Sequence, residues 1–270
     1  MNEQQDYLNQ NAPISIFTKN ISYLDCAVFD PAYGIIGQSW IVDTKISGNL
    51  KDSNLIYDFS ELKKLIQQIL NDNIDHKLLI PISSEYVSFN EDTNGECWEL
   101  KVPCPETITY NIWKYKCPKN SVYTVRTPKI NSFIIEQEIS KILRHRLPSS
   151  INEVKISLKE EKAEETTAFY RYTHGLSFHS GACQKLFHGH KSKIEIYIGD
   201  ERRADLEHHV VRELLGSNVH IASCNQLLTE SIPIGQRGNN SNILTLGYKT
   251  NDGIYYAELP ANKVFIVDKA

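Results

Sequence analysis

Apolar positions along the chain follow two rhythms, a period of two and a period near 3.6. SWIVDTKIS (39–47) mixes apolar and polar residues among β-formers and closes on Gly48, which predicts a strand. In NLIYDFSELKKLIQQILNDN (54–73), Phe59, Leu62, Leu65, Ile66, Ile69 and Leu70 recur at helical spacing, with Asp58 or Ser60 placed to cap. YVSF and CWELKVP flank NEDTNG, whose Asn-Gly predicts a hairpin turn within 85–110. NSFIIEQEISKILRHRL (131–147) predicts a second amphipathic helix, entered at Asn131 and stopped at Pro148. NEVKISLKEE (152–161) and TTAFYRYTHG (166–175) alternate as strands, with a charged EEKAEE loop between them.

The second half echoes the first. SKIEIYIG (192–199) ends in glycine as WIVDTKISG does. RADLEHHVVRELLG (203–216) predicts a helix that presents Leu206, Val210, Val211, Leu214 and Leu215, with Gly216 as its C-cap. LTLGYKTNDGIYYAELPANKVFIVD (244–268) is again two strands about an Asp-Gly turn, in the layout of 87–110. Strand, strand, helix and hairpin therefore occur twice, and the second copy stops before a second helix and closing strand.

Composition narrows the function classes. The net charge of −4 with scattered Lys and Arg argues against nucleic acid as a partner. No apolar run is long enough for a membrane span, and the polar, acidic start carries no secretory pattern. Cys26, Cys97, Cys104, Cys117, Cys183 and Cys224 form no CxxC pair, so they read as reduced thiols of the cytoplasm.

One stretch carries chemistry: ACQKLFHGHKSKIEIYIG (182–199). In a strand, residues two apart share a face, so His188 and His190 point the same way. The same face is expected to run on through Ile194, Ile196 and Ile198 into the core. A catalytic zinc takes three protein ligands and keeps one position open. His174, which ends the neighbouring strand, is the expected third ligand, and His179 in the connecting loop is its competitor. Cys183 is either a further ligand or, deprotonated near a cation, a base. His208 and His209 are expected at the surface.

These residues resemble the 6-pyruvoyltetrahydropterin synthase / 6-carboxytetrahydropterin synthase family. His174, Cys183, His188 and His190 fit its His and Cys…His-Gly-His. Asp58, Phe59, Leu62 and Lys63 fit its Asp-Phe-x-x-Leu-Lys helix, Asp75 and His76 its Asp-His, and Glu160 its late glutamate. Two departures divide the pattern between the halves. IIGQSW, with Gly37 and Gln38, stands in the first half for His-Gly-His, and HIASCNQLL, with Ala222 and Ser223, stands in the second half for Asp-His.

The resemblance implies an α+β chain of two tandem T-fold units, 1–165 and 166–270. Each is an antiparallel sheet with helices on one face, and the units assemble into an oligomeric barrel. It implies a zinc-dependent lyase of 7,8-dihydroneopterin triphosphate, with Cys183 as base, Asp75 and His76 moving protons, and Glu160 anchoring the pterin. The alternative reading is a non-catalytic pterin- or purine-binding protein on the same scaffold.

Overall fold

The computed structural model describes residues 14–50, 55–92, 95–104, 109–161, 167–177, 179, 181–216, 218–228, 232–238 and 242–268. The chain is α+β and rich in sheet. Its first elements are β1 (Ile14–Asp30), β2 (Gly34–Gly48), α1 (Phe59–Asn73), β3 (Leu78–Pro81), β4 (Val87–Asp92), β5 (Gly95–Pro103), β6 (Tyr110–Cys117), β7 (Val122–Val125), α2 (Ser132–Arg146) and β8 (Ile151–Lys159). Then come β9 (Ala168–His174), β10 (His188–Ile194), the short β11 (Tyr197–Ile198) and β12 (Glu201–Arg202), and α3 (Ala204–His209). β13 (Asn218–Ser223), β14 (Ile243–Thr250), β15 (Gly253–Pro260) and β16 (Val264–Val267) complete the order. Among the described residues no helix is long and apolar enough to cross a membrane.

Two compact units draw on non-contiguous stretches. The first takes the described residues up to Leu24, from Trp40 to Asp72 and from Asn131 to Glu160. In it β2 pairs antiparallel with β8, from Ile41↔Lys159 to Gly48↔Ile151. On α2, Ile135, Ile139 and Leu143 lie one turn apart and are buried. Asn131 caps this helix by accepting the Ile134 N–H at 3.0 Å. Asp58 does the same for α1, accepting the Glu61 N–H at 2.9 Å. Leu62, Ile66, Ile69 and Leu70 form the buried stripe of α1, while Phe59 stays exposed.

The second unit holds the rest of the described chain, including Asp25–Ser39. Here β2 neighbours β1, and β3 and then β7 add in parallel, with Ala27↔Leu78 and Leu78↔Val122 in register. β10, β9, β13 and β16 repeat that order: an antiparallel pair, then two parallel additions, with Thr173↔His220 and His220↔Val264 in register. The expected sheets were purely antiparallel. Period-two patterning does not report strand direction, and the long crossovers through helix and hairpin are what make these additions parallel.

Each hairpin ahead of a parallel addition ends in the same device. Pro118 and Pro260 open 3₁₀ turns over Lys119–Ser121 and Ala261–Lys263, and the chain then enters β7 or β16. The two hairpins also join one another, since β6 pairs antiparallel with β15 through Lys114↔Glu258, Tyr115↔Ala257 and Lys116↔Tyr256. Period-two alternation turns Trp113, Tyr115, Tyr255 and Ala257 inward, where they pack with Phe29, Leu78, Phe187 and Leu246 in one core. The Asp252-Gly253 turn is as expected, with Gly253 at φ 139°; the Asn94 of the other turn lies outside the described residues.

Two expectations for the second half need correction. β10 ends at Ile194; Ile194 and Ile196 are half-buried and Ile198 is 58% exposed, so the face carrying His188 does not continue into the core. The helix over 203–216 is α3 followed by a π-helical stretch, Val210–Leu215, and its five apolar residues are not buried. The buried residue is Glu207, whose carboxylate accepts Arg202 Nε–H at 2.8 Å, Arg202 Nη2–H at 2.9 Å and the Ile196 N–H at 3.0 Å. A satisfied ion pair replaces the apolar stripe.

Candidate metal and catalytic centre

β9 and β10 place three imidazoles together. Their antiparallel register sets His188 opposite His174, with His190 two residues on along the same face. Ring centroids are 4.7 Å apart for His174 and His188, 5.3 Å for His174 and His190, and 4.3 Å for His188 and His190. One ligand atom from each of the three lies within 4.8 Å of the others. Gly189 permits this. A Cβ there would meet the Cys26 carbonyl oxygen at 2.5 Å and Gly37 Cα at 2.8 Å, so the strand that carries the histidines crosses β1 and β2 at bare backbone.

A second group shares His188. His76, Cys183 and His188 also bring ligand atoms within 4.8 Å of one another. His76 stands just ahead of β3 in a left-handed conformation, φ 59°, held by its N–H to the Asp25 carbonyl at 2.7 Å. Its Nδ1 is 2.6 Å from Asp75 Oδ2, and its ring centroid is 4.0 Å from that of His188. Asp75 is in turn fixed by accepting the Asp25 N–H at 2.9 Å. Cys183, half-buried, belongs to the 3₁₀ turn Ala182–Gln184.

The electrostatics favour neutral nitrogen donors. Burial, then the neighbouring His190 and His76, lower the His174 pKa to about 4. Burial and the charges of His76, His190 and His174 push His188 down further. His188 is 2% exposed, and neither ring nitrogen has a hydrogen-bond partner. A buried imidazole left this way is costly unless something outside the chain takes a lone pair. With His174 and His190 beside it, that orphaned imidazole belongs to a three-nitrogen donor set that fits a divalent cation. Burial and the Asp75 charge push the Cys183 thiol up, so the chain alone does not make it a thiolate.

Sequence reading missed Asp25 and Ser39. The Asp25 carboxylate lies 3.4 Å from His190 Nδ1 and accepts the Ser39 hydroxyl at 2.5 Å. Burial would raise this carboxyl, but hydrogen bonds from His190 and Ser39 outweigh burial and hold it below its ordinary value. The available signal was LDCAVF (24–29), an acid inside an otherwise apolar run.

The other expected residues fall outside these clusters. His179 is exposed, as are His208 and His209. Glu160 is exposed immediately after β8, in the first compact unit.

Strand register also relates the two strand groups position by position. Leu78 faces Val122 as His220 faces Val264, so by register Leu78 corresponds to His220. By the same register Asp25 corresponds to Arg171. The correspondence extends to contacts. Arg171 Nη1 donates to Gln38 Oε1 and, at 3.1 Å, to the Gly37 carbonyl, where Asp25 faces His190.

No protein-family model matches the chain. It is similar to the "Putative 6-carboxy-5,6,7,8-tetrahydropterin synthase" of Methanocaldococcus jannaschii, at 28% identity over 138 residues, which cover 48% of this chain and 77% of that protein. Among solved structures it is similar to 6-pyruvoyl tetrahydropterin synthase from Plasmodium vivax, with 16% identity and a TM-score of 0.44 over 57% of this chain and 95% of that one. The enzyme from Plasmodium falciparum gives 22% identity and a TM-score of 0.40 over 56% and 93%. The resemblance read from Cys…His-Gly-His and Asp-His is therefore also a similarity along the chain.

Proposed function

We propose that this chain is a zinc-dependent lyase of the tetrahydropterin synthase type, acting on 7,8-dihydroneopterin triphosphate. The observation that carries the reading is the meeting of Asp75–His76 from the first half of the sequence with Cys183 and His188 from the second. Neither half holds the full set. We further propose that residues 1–165 and 166–270 are tandem, diverged T-fold units; the repeated strand order and the repeated Pro-opened turns support this. Assembly into a homo-oligomeric barrel and a cytoplasmic location complete the proposal.

His174, His188 and His190 would hold the zinc, which supplies Lewis-acid polarisation of the substrate's side-chain hydroxyls. Cys183 takes the proton from the side-chain carbon next to the pterin ring. His76, its tautomer set by Asp75, moves protons as general acid or base. Glu160 accepts from the pterin ring N–H and amino group, a charge-assisted pair that fixes orientation. Loss of triphosphate gives the pyruvoyl product; uptake of one water with loss of triphosphate and acetaldehyde gives the carboxy product.

The test is metal analysis of the purified protein, then incubation with dihydroneopterin triphosphate and mass analysis of products. Turnover that falls at least about 100-fold in Cys183→Ala, with zinc retained, is the expected result. Normal turnover by Cys183→Ala excludes the thiol as base. Bound zinc and tight pterin binding without turnover would establish the binding-protein reading instead.

A further inference from the structure

Asp25 ties the two clusters together. Its backbone holds both members of the Asp75–His76 pair, accepting the His76 N–H at 2.7 Å and donating its own N–H to Asp75 at 2.9 Å. Its side chain turns to His190, 3.4 Å from Nδ1. The carboxylate does not swing freely, because Ser39 donates to it at 2.5 Å. Ser39 is itself pinned, its oxygen accepting the Lys191 N–H at 3.0 Å, one residue from His190. A chain of hydrogen bonds thus runs from β10 through β2 to β1, and the carboxylate at its end lies 3.4 Å from the imidazole on β10.

An imidazole that binds a cation through one nitrogen is oriented by what its other N–H meets. We propose that Asp25 is the positioning residue of the metal centre: it takes the Nδ1–H of His190 and so presents Nε2 to the cation. The corresponding position elsewhere in the fold argues the same way. Where Gln38 stands in place of His190, the residue in place of Asp25 is Arg171. A cation there suits an amide oxygen and would repel a metal ion. The carboxylate is present where the imidazole is present and absent where it is not.

This inference rests on the metal reading of the three histidines, and one experiment separates the two. Zinc affinity is measured by competition with a chromophoric chelator for wild type, Asp25→Asn, Asp25→Ala and Ser39→Ala. Cobalt(II) spectra of each protein report ligand geometry. Asp25→Asn and Asp25→Ala should weaken zinc about 10- to 100-fold and alter the cobalt spectrum, while metal-free melting of Asp25→Asn stays near wild type. Ser39→Ala, which keeps the carboxylate, should weaken zinc by a smaller factor and guards against an Asp25 variant that fails to fold. Zinc affinities within about twofold of wild type and unchanged cobalt spectra in the Asp25 variants overturn the positioning role and leave the metal reading standing. A wild-type protein that binds no divalent ion overturns both.

Discussion

His220 is the fully buried imidazole beside the centre, with its Nδ1 2.9 Å from the Thr173 hydroxyl and its Nε2 without a partner. Burial, aided by the charge of His174, lowers its pKa to about 3. An unfolded histidine titrates near ~6.5, so between ~6.5 and the folded value the native state binds fewer protons than the unfolded one. Stability therefore falls as pH drops through that window, at up to about 1.4 kcal/mol per pH unit for this one group. Urea denaturation of wild type and His220→Leu between neutral and mildly acid pH should give a shallower slope for the variant. Parallel slopes would show that His220 charges without penalty. The sequence could not single this histidine out, because its burial comes from Phe187 and from neighbouring strands.

At the scale of elements, the crossing of β10 over β1 and β2 depends on two glycines. Gly189→Ala would drive a methyl group against the Cys26 carbonyl and Gly37 Cα, backbone atoms that cannot rotate away. The expected cost is about 1–3 kcal/mol or more, read as a lower urea midpoint, with metal affinity lost as the strand lifts. An unchanged midpoint would mean that the crossing is looser than drawn. The hairpins, α2 and the strands over 152–159 and 168–174 were legible because alternation, caps and turn residues are local signals. Strand direction was not legible, nor was the π-helical stretch after α3, whose placement follows from the buried Glu207–Arg202 pair rather than from periodicity.

For the whole molecule, the two strand groups of like order are chemically unlike. The group of β9 and β10 carries His174, His188 and His190, which Asp25 of β1 faces; elsewhere Arg171 of β9 faces Gln38 of β2. The chain should therefore bind about one zinc, and His188→Ala, which removes the imidazole shared by both trios, should bind close to none. Metal analysis with two equivalents per wild-type chain would refute this asymmetry. The paired histidines, the thiol and Asp75–His76 could be picked out from sequence because each forms a short motif. Asp25 could not be assigned, since its role depends on which strand passes over it.

The pairing of β6 with β15 and the core beneath it have a kinetic meaning. Donors from distant parts of the sequence reach one place along one covalent thread, already zipped by Lys114↔Glu258 and its neighbours. Their encounter is unimolecular, at an effective concentration set by chain geometry and not by the amount of protein in solution. Dilution leaves this cluster of imidazoles, thiol and carboxylates assembled.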